Sequence, residues 1–335
     1  MRLPLLIRTL TIMALLLYGS LSHAALKALS DDELSDSVGQ AFLQLDRSNS
    51  NGLDYTRLTL GLDVETSLNS DLVELGKYNR NDDNRGENTG ADIRIRDFAL
   101  GEVKSNGVIE PFQIKDPFIE LAFEKGPSGQ QNVVGVRLGF GGAKGKLSGA
   151  IESLTGNIDV NVFGTGSTIA PKISCGFFDI VCHGAKSLVG GTWADSQFKA
   201  NASLIDGSGN SDPIRATKIG ILNGQNLTLP GSSGFANFIV GLLKSDNCDL
   251  LGTTTCFPLT NFKSLDIGNN GDFSQGLFLS FQTKPVAWRD GGTTTTATKG
   301  AFINIPNGGI NVSFTQAFEG IPRVRTKMLD PYYDN

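Results

Sequence analysis

Two short serine motifs are the clearest places where this sequence could do covalent chemistry. Ser196–Lys199 has the S-x-x-K spacing, in which a lysine can activate a serine hydroxyl, and Ser245–Asn247 reads S-D-N. A serine acyl-transfer site of this kind also needs K-T-G, whereas this chain has Thr298 before Lys299 and Gly300, in the wrong order. The S-x-x-K motif should also open a long helix, yet a strand-like segment follows it here. We interpret both motifs as chance matches.

The sequence supplies no other catalytic arrangement and no cofactor loop. It has no G-x-S-x-G, and His183 is the single histidine outside the leader segment described below. The glycine-rich run at 139–146 ends in a Gly-Lys pair followed by Leu147, which is not the spacing of a phosphate-binding loop. Glycines in an alternating context instead predict a bulge or a tight strand contact. We therefore predict no catalytic residue, no cofactor and no enzyme activity.

A calcium loop is the nearest approach to a metal site. The run at 266–272 has oxygen-bearing side chains at spaced positions and a glycine at its sixth position, as an EF-hand loop does. Leu277 stands where that loop needs a glutamate, so the motif is incomplete. We predict no dedicated metal site, and the weak calcium candidates are Asp266, Asn270 and Asp272.

Residues 1–24 are typical of a secretory signal peptide. Arg2 and Arg8 supply positive charge, Thr11–Leu21 is an apolar run too short to cross a bilayer, and Ala24 ends a small-residue cleavage site. An uncleaved anchor is the alternative. No later apolar run approaches the roughly 20 residues that a membrane helix needs. We expect an exported chain with no transmembrane helix after cleavage.

The four cysteines form two close pairs, Cys175 with Cys182 and Cys248 with Cys256. An even number of cysteines in an exported chain implies disulfides. Three connectivities are possible, and we favour local pairing, in which each bridge stabilises mainly its own loop. A single helix would hold Cys175 and Cys182 about 10 Å apart, beyond disulfide reach, so if they pair a helix must begin after a turn. Zinc is a poor alternative because the spacings are wrong and one histidine remains.

Residues 25–41 predict a short helix that docks on something else. Ser30 and Glu33 form a capping box at its start. A helix of about two turns is not stable alone, so it needs a surface to pack on. The residues expected to make that contact, with the protein body or with a partner, are Leu29, Leu34 and Val38.

The same segment carries a family resemblance. The run Leu29–Ser35, followed by Val38–Gln40 just after a signal peptide, resembles the mature N-terminus of an uncharacterised family of exported envelope proteins of Gram-negative bacteria. Some relatives of that kind are described as associated with filaments or pili. The resemblance implies a Gram-negative envelope location, and it carries over no catalytic residue.

Alternation with a period of two dominates the chain from Tyr55 onward. The clearest examples are RLTLGLDVET from Arg57, DIRIRDF from Asp92, FIELAFEK from Phe118 and VVGVRLGF from Val133. Such segments are typical of half-buried antiparallel strands, with apolar side chains toward a core and polar ones toward water. We predict a mainly β fold with long antiparallel strands in a sandwich or curled sheet, a short N-terminal helix and two short apolar helices. The β regions would span 42–165 and 166–335, as two parts or as one continuous domain.

The two apolar helices are predicted where the period of two breaks, each beside a cysteine pair. One would place Phe178, Val181, Ala185 and Leu188 on one stripe. The stripe of the other comprises Phe235, Phe238, Ile239, Leu242 and Leu243. Our first interpretation is that they are core plugs pinned by disulfides, and our second is that they form a lid over an apolar groove or a docking element for a partner.

The net charge and the expected export together narrow the range of functions that the protein could have. A net charge of −5 argues against a nucleic-acid partner, which needs a basic face. The leader, the one-sided strands and the lack of a catalytic set favour a non-enzymatic cell-envelope protein, surface-exposed or filament-associated, with a structural or adhesive role. Its partner would be an envelope protein or the outer-membrane surface. The alternative is a periplasmic binder or carrier of lipid or another apolar ligand.

Overall fold

The computed structural model describes residues 43–80, 90–230, 241, 243–268, 271–290 and 292–327. The predicted signal peptide at 1–24 and the predicted N-terminal helix with Leu29, Leu34 and Val38 therefore lie outside the described residues. The same holds for Asn270 of the calcium candidates and for four members of the second apolar helix, which are Phe235, Phe238, Ile239 and Leu242.

The described part of the chain is mainly β, as the alternation predicts. In chain order the strands are β1 (Leu43–Ser50), β2 (Leu53–Leu60), β3 (Asp63–Thr66), β4 (Leu68–Lys77), β5 (Ala91–Leu100), β6 (Glu102–Val103), β7 (Ile109–Glu110), β8 (Phe112–Lys125), β9 (Gln131–Leu154), β10 (Gly156–Thr165), β11 (Gln197–Ile205), β12 (Lys218–Ile221), β13 (Asp249–Leu250), β14 (Thr253–Thr254), β15 (Cys256–Pro258), β16 (Ser264–Ile267), β17 (Phe278–Gln282), β18 (Val286–Asp290), β19 (Thr293–Ala297) and β20 (Gly300–Ser313). The helices are α1 (Gly166–Ile169), α2 (Ile180–Gly190) and α3 (Phe314–Glu319), with 3-10 turns at Ala170–Lys172 and Leu259–Asn261.

One sheet of fourteen strands holds most of the described strands. Its main order is β1-β2-β8-β9-β16-β20-β10-β11-β12-β15, with β3, β4, β5 and β17 paired alongside. Strands from both predicted β regions share this sheet, and the described residues belong to one compact unit. Three further hairpins, β6–β7, β13–β14 and β18–β19, stand outside it.

The named strands of the sheet pair antiparallel, as predicted, except for one parallel pair that the sequence analysis did not foresee. β10 and β20 run parallel, with Asn157 opposite Asn304 and Asn161 opposite Asn311. The side-chain amide of Asn157 donates to Asn304 at 3.0 Å, and that of Asn161 donates to Asn311 at 3.1 Å. Alternation along a strand fixes which side chains share a face but not the direction of the neighbouring strand. The parallel pair was therefore outside what the pattern could predict.

The glycine-rich run at 139–146 lies inside β9, as the strand interpretation predicts. Gly139 sits against the ring of Phe118, which occupies the space a Cβ would need. Gly145 has φ +132°, and a Cβ there would meet the Cα of Phe112 at 3.1 Å. Glycine lets the long strand bend past its neighbours, because a side chain at either position would collide with them.

Two apolar cores stabilise the unit. The larger lies against β9, β10, β11 and β20, and α1, α2 and α3 contribute to it through Ile169, Ala185 and Phe314. The smaller lies under the β18–β19 hairpin and is centred on Trp288. Among the described residues, no helix has the length and apolar character needed to cross a bilayer.

Candidate docking surface

The serine motifs occupy structural positions. Ser245 is buried, and its hydroxyl hydrogen-bonds the Ile221 carbonyl at 3.2 Å and the Thr255 hydroxyl at 2.8 Å. Ser196 lies in a bend, and Lys199 is an exposed residue of β11 whose backbone pairs with Thr228. The S-x-x-K segment therefore does not open the long helix that its chemistry would require.

The two described calcium candidates, Asp266 and Asp272, do not form an open site. The Asp266 carboxylate pairs with the Lys146 ammonium at 2.6 Å, and Asp272 is exposed. In the part of the chain that the structure describes, no three His, Cys, Asp or Glu side chains are grouped to hold a metal ion. A cation at Asp266 would have to displace Lys146 first.

A polar cleft of about 740 Å³ adjoins this ion pair, and its lysines already have partners in the protein. Lys104 pairs with Glu102 at 2.5 Å and with Glu110 at 3.1 Å. The hydrogen bond to Glu102 raises the pKa of Lys104, because it stabilises the charged ammonium. Lys144 donates to the Gly271 carbonyl at 2.9 Å. These lysines are therefore poor anchors for an acidic ligand.

Both disulfides are local, which confirms the favoured pairing. Cys175 bonds Cys182 and Cys248 bonds Cys256, with Cα atoms 5.5 and 5.1 Å apart. The first bridge is possible because α2 begins only at Ile180, after a turn, as the distance argument requires. The Asp179 carboxylate caps α2 by accepting a hydrogen bond from the Cys182 backbone N–H at 2.9 Å.

The loop closed by the Cys175–Cys182 bridge exposes four large apolar side chains. Phe177 and Phe178 are 89% and 87% exposed, and their rings meet edge to face with centroids 4.9 Å apart. Ile180 and Val181 beside them are also exposed. We call these four residues the apolar tip. Typical folded proteins do not leave two adjacent phenylalanines this exposed unless the site binds something.

The apolar tip corrects the predicted stripe on this helix. Ala185 and Leu188 do face the protein, but Phe178 and Val181 point into solvent. The residues of α2 that enter the main core are Cys182, Ala185 and Val189, spaced i, i+3 and i+7. The short helix therefore packs on a narrow face and presents the remaining apolar residues outward. Of the other predicted stripe, Leu243 is described and is fully buried.

A second apolar surface covers one side of the sheet. Leu45 of β1 pairs with Leu58 of β2, Leu58 with Ile119 of β8, and Ile119 with Leu138 of β9. Paired residues project to the same side of a sheet, so these side chains form a continuous row across four strands. We call the exposed members of this side the apolar face, which comprises Leu43, Leu45, Leu58, Ile119, Val133, Leu138 and Phe281. Each is between 36% and 59% exposed, so no described element covers them.

The apolar face has a shallow depression near its β9 end. A hollow of about 310 Å³ is lined by Val133, Val136, Phe281 and Tyr78 among others. Its volume is at the lower end of the roughly 300–1,000 Å³ of small-ligand sites. The hollow is wide open and apolar, so it suits the side chains of a docked partner.

The burial pattern around Ile119–Glu120 of β8 and Arg137–Leu138 of β9 is the reverse of the predicted one. Ile119 is 49% exposed, whereas its neighbour Glu120 is 6% exposed and pairs with the buried Arg137. The cause is the β18–β19 hairpin, which covers the polar side of these strands with Trp288. The apolar side thereby becomes the outer one.

Arg137 is at the centre of the covered side. Its Nε donates to Glu120 at 2.8 Å, and its Nη2 donates to the Arg289 carbonyl at 2.8 Å. The rings of Phe118, Phe278 and Trp288 lie within 5.0–5.2 Å of the guanidinium carbon. Burial lowers the pKa of Arg137, and the Glu120 carboxylate opposes that shift. The signal available in the sequence is a charged residue between apolar ones in each of two strand-like segments, Glu120 between Ile119 and Leu121 and Arg137 between Val136 and Leu138.

A second buried ionic cluster joins distant segments. The Asp92 carboxylate accepts hydrogen bonds from Arg80 at 3.0 Å, from Arg215 at 2.9 Å and from the Ala301 backbone N–H at 2.9 Å. All three ionic side chains are almost fully buried. The cluster links β5, the segment after β4, the loop before β12 and the start of β20. It therefore has a structural role.

Two interior cavities in the described part of the chain are too small for an organic ligand. Two apolar cavities beside β10, lined by Val162, Ala202 and Phe257 among others, measure about 20 and 30 Å³. Each has room for one or two water molecules but not for an acyl chain.

Comparison with family models, curated proteins and solved structures finds no match to this chain.

Proposed function

We propose that this protein is a non-enzymatic component of the cell envelope, surface-exposed or filament-associated, with a structural or adhesive role that it performs through apolar docking. The apolar face carries the proposal. Its seven exposed members present on the order of 600 Å² of apolar side chain, at the upper limit of the largest patch on a typical monomer. A patch of that size is typical of an interaction site.

Two other observations support an extracytoplasmic structural role. Both disulfides are compatible with an oxidising compartment, where such bridges persist. The buried charges, Asp92 with its two arginines and Glu120 with Arg137, lie within the fold and pair with one another. These ion pairs link segments of the fold. They do not line an accessible cleft, as a set of catalytic residues would.

The alternative, a periplasmic carrier of lipid or another apolar ligand, has less support. A carrier shields most of its ligand from water, whereas the two cavities beside β10 measure only about 20 and 30 Å³ and the 310 Å³ hollow is open. A ligand on the apolar face would remain largely exposed. Lipid extraction of the purified protein followed by mass spectrometry tests this alternative, and a stoichiometric lipid would favour it.

Protease shaving of intact cells tests the proposal. We expect cleavage of this protein in intact cells, or its recovery from the medium, while a periplasmic marker stays intact. Complete protection together with recovery in the soluble periplasmic fraction would contradict a surface role.

A double variant tests whether the apolar face retains the protein in the envelope. Leu58→Ser with Ile119→Ser removes two central members of the face, and we expect its release from the envelope fraction. The matched control is Val108→Ser with Ile109→Ser, which removes two equally exposed apolar side chains from the β6–β7 hairpin. Equal retention of both variants would show that the face does not hold the protein in place.

A further inference from the structure

The apolar tip and the apolar face are separate surfaces. α2, which carries half of the tip, packs on α1, and α1 directly follows β10. The face extends from the edge strand β1 to β9 and β17, and β16 and β20 stand between β9 and β10 in the strand order. The chain therefore has two apolar surfaces that no described element covers, at different places.

We infer that the occupant of each surface is a second copy of this chain, with the apolar tip of one copy seated on the apolar face of the next. This inference rests on the proposed function and deepens it by naming the partner. The tip is 59–89% exposed at its four side chains and is pinned by a disulfide, whereas the face crosses four strands and contains the 310 Å³ hollow. The side chains of an exposed apolar loop on one copy can enter an open apolar hollow on the next.

The exposed areas meet the requirement of a specific interface. Phe177, Phe178, Ile180 and Val181 present on the order of 600 Å² of apolar side chain, since an aromatic residue alone accounts for about 150–250 Å². The face presents a similar area. Together they would bury roughly 1,200 Å², above the floor of about 1,000 Å² for a specific contact. The Cys175–Cys182 bridge holds the tip in place before binding, which reduces the entropy lost on docking.

Charge favours a protein partner over a lipid surface for the tip. The lysines on either side of the loop are turned toward the protein, because Lys186 donates to the Ile173 carbonyl at 2.6 Å and Lys172 lies 5.6 Å from the Phe318 ring centre. Lysines that bind anionic headgroups have to reach outward from the membrane-facing surface. The chain as a whole also carries a net charge of −5.

The contact is heterologous, because the tip and the face are different surfaces. A heterologous contact leaves a free tip at one end and a free face at the other, so it adds copies without limit unless the rotation closes a ring. We therefore expect concentration-dependent association beyond the dimer.

The test is sedimentation velocity on the full chain, purified with its disulfides intact. One variant removes the tip (Phe177→Ser with Phe178→Ser) and another removes the centre of the face (Leu58→Ser with Ile119→Ser). Each should remain monomeric, with association weakened by roughly 100-fold or more, since each tenfold corresponds to about 1.4 kcal/mol and buried aromatic anchors dominate interfaces. Val108→Ser with Ile109→Ser is the matched control and should associate like the wild type.

Mixing the two association-deficient variants decides the geometry. The tip variant keeps its face and the face variant keeps its tip, so an equimolar mixture should form a one-to-one dimer that does not grow. Circular dichroism and urea unfolding confirm that each variant is folded.

Three outcomes would overturn the inference. The first is a wild-type chain that stays monomeric at about 100 μM, far above the micromolar affinity of even a weak specific interface. The second is a closed dimer that survives loss of the tip, which would show face-to-face pairing. The third is tip-dependent flotation with phosphatidylcholine and phosphatidylglycerol vesicles without self-association, which would identify a lipid surface. Each outcome is independent of the shaving experiment, so the inference can fail while the envelope role stands.

Discussion

Replacing Asp92 with alanine tests the most deeply buried ionic cluster of the fold. The carboxylate accepts hydrogen bonds from Arg80, Arg215 and the Ala301 backbone N–H, at 2.9–3.0 Å. Its removal takes away a buried carboxylate that pairs with both guanidinium groups. Breaking a buried ion pair in this way costs about 3–5 kcal/mol. We expect the free energy of unfolding of Asp92→Ala to fall by that amount.

Urea denaturation followed by tryptophan fluorescence measures the change. An exposed carboxylate in the same sheet gives the control, Asp63→Ala, which should change the free energy of unfolding by no more than about 0.5 kcal/mol. A third variant, Arg80→Met with Asp92→Leu and Arg215→Met, replaces the charges with apolar groups and should recover most of the loss. A loss of less than about 1 kcal/mol in Asp92→Ala would refute the reasoning, because removing one partner of a buried ion pair costs several times that.

Three further predictions follow from local geometry. Removing the Cys248–Cys256 bridge by serine substitution should lower the free energy of unfolding by about 2–3 kcal/mol, measured in urea without reductant. Gly139→Ala should cost about 1–3 kcal/mol by forcing a methyl group against the aromatic ring that covers it, whereas Gly176→Ala, in open space, should be neutral in the same assay. The Asn210 backbone N–H holds the pKa of Asp206 below its ordinary 3.8, so its contribution to stability is complete above that pH and lost as the pH falls through the lowered folded-state pKa. Urea titrations from pH 6 to 2 should therefore show a shallower acid loss for Asp206→Asn than for the wild type, and parallel curves would contradict this.

The secondary-structure class was predictable because it depends on a local signal. Alternation at Leu58, Ile119 and Leu138 places each residue in a strand, and the structure has strands there. The local cysteine pairing was predictable for a similar reason, since a loop of a few residues is easily closed. Strand direction was not predictable, because the β10–β20 pair joins segments nearly 150 positions apart that have the same alternation as antiparallel strands.

Which face of each strand is buried could not be predicted from the strand itself. Which face of β8 and β9 is buried depends on the β18–β19 hairpin. The second strand of that hairpin begins in a run of threonines, which in the sequence is typical of a low-complexity loop. Trp288 of that hairpin lies over Arg137 and covers the polar side of β8 and β9. The predicted stripe through Phe178 and Val181 failed for a related reason, because helical spacing identifies a face but not its neighbour.

The reversed faces are themselves an argument about function. Burying Glu120 and Arg137 requires their desolvation, which an apolar pair of similar size would avoid. Exposing Leu58, Ile119 and Leu138 gives up the free energy that their burial would contribute, about 1.5–3 kcal/mol for each fully buried side chain. The covered side also holds the smaller core around Trp288, so the fold buries one apolar surface and leaves another, with Leu58, Ile119 and Leu138, partly exposed to water. A docked partner would bury the apolar face that the fold leaves exposed to water. This supports the proposal that the apolar face works in contact with another molecule.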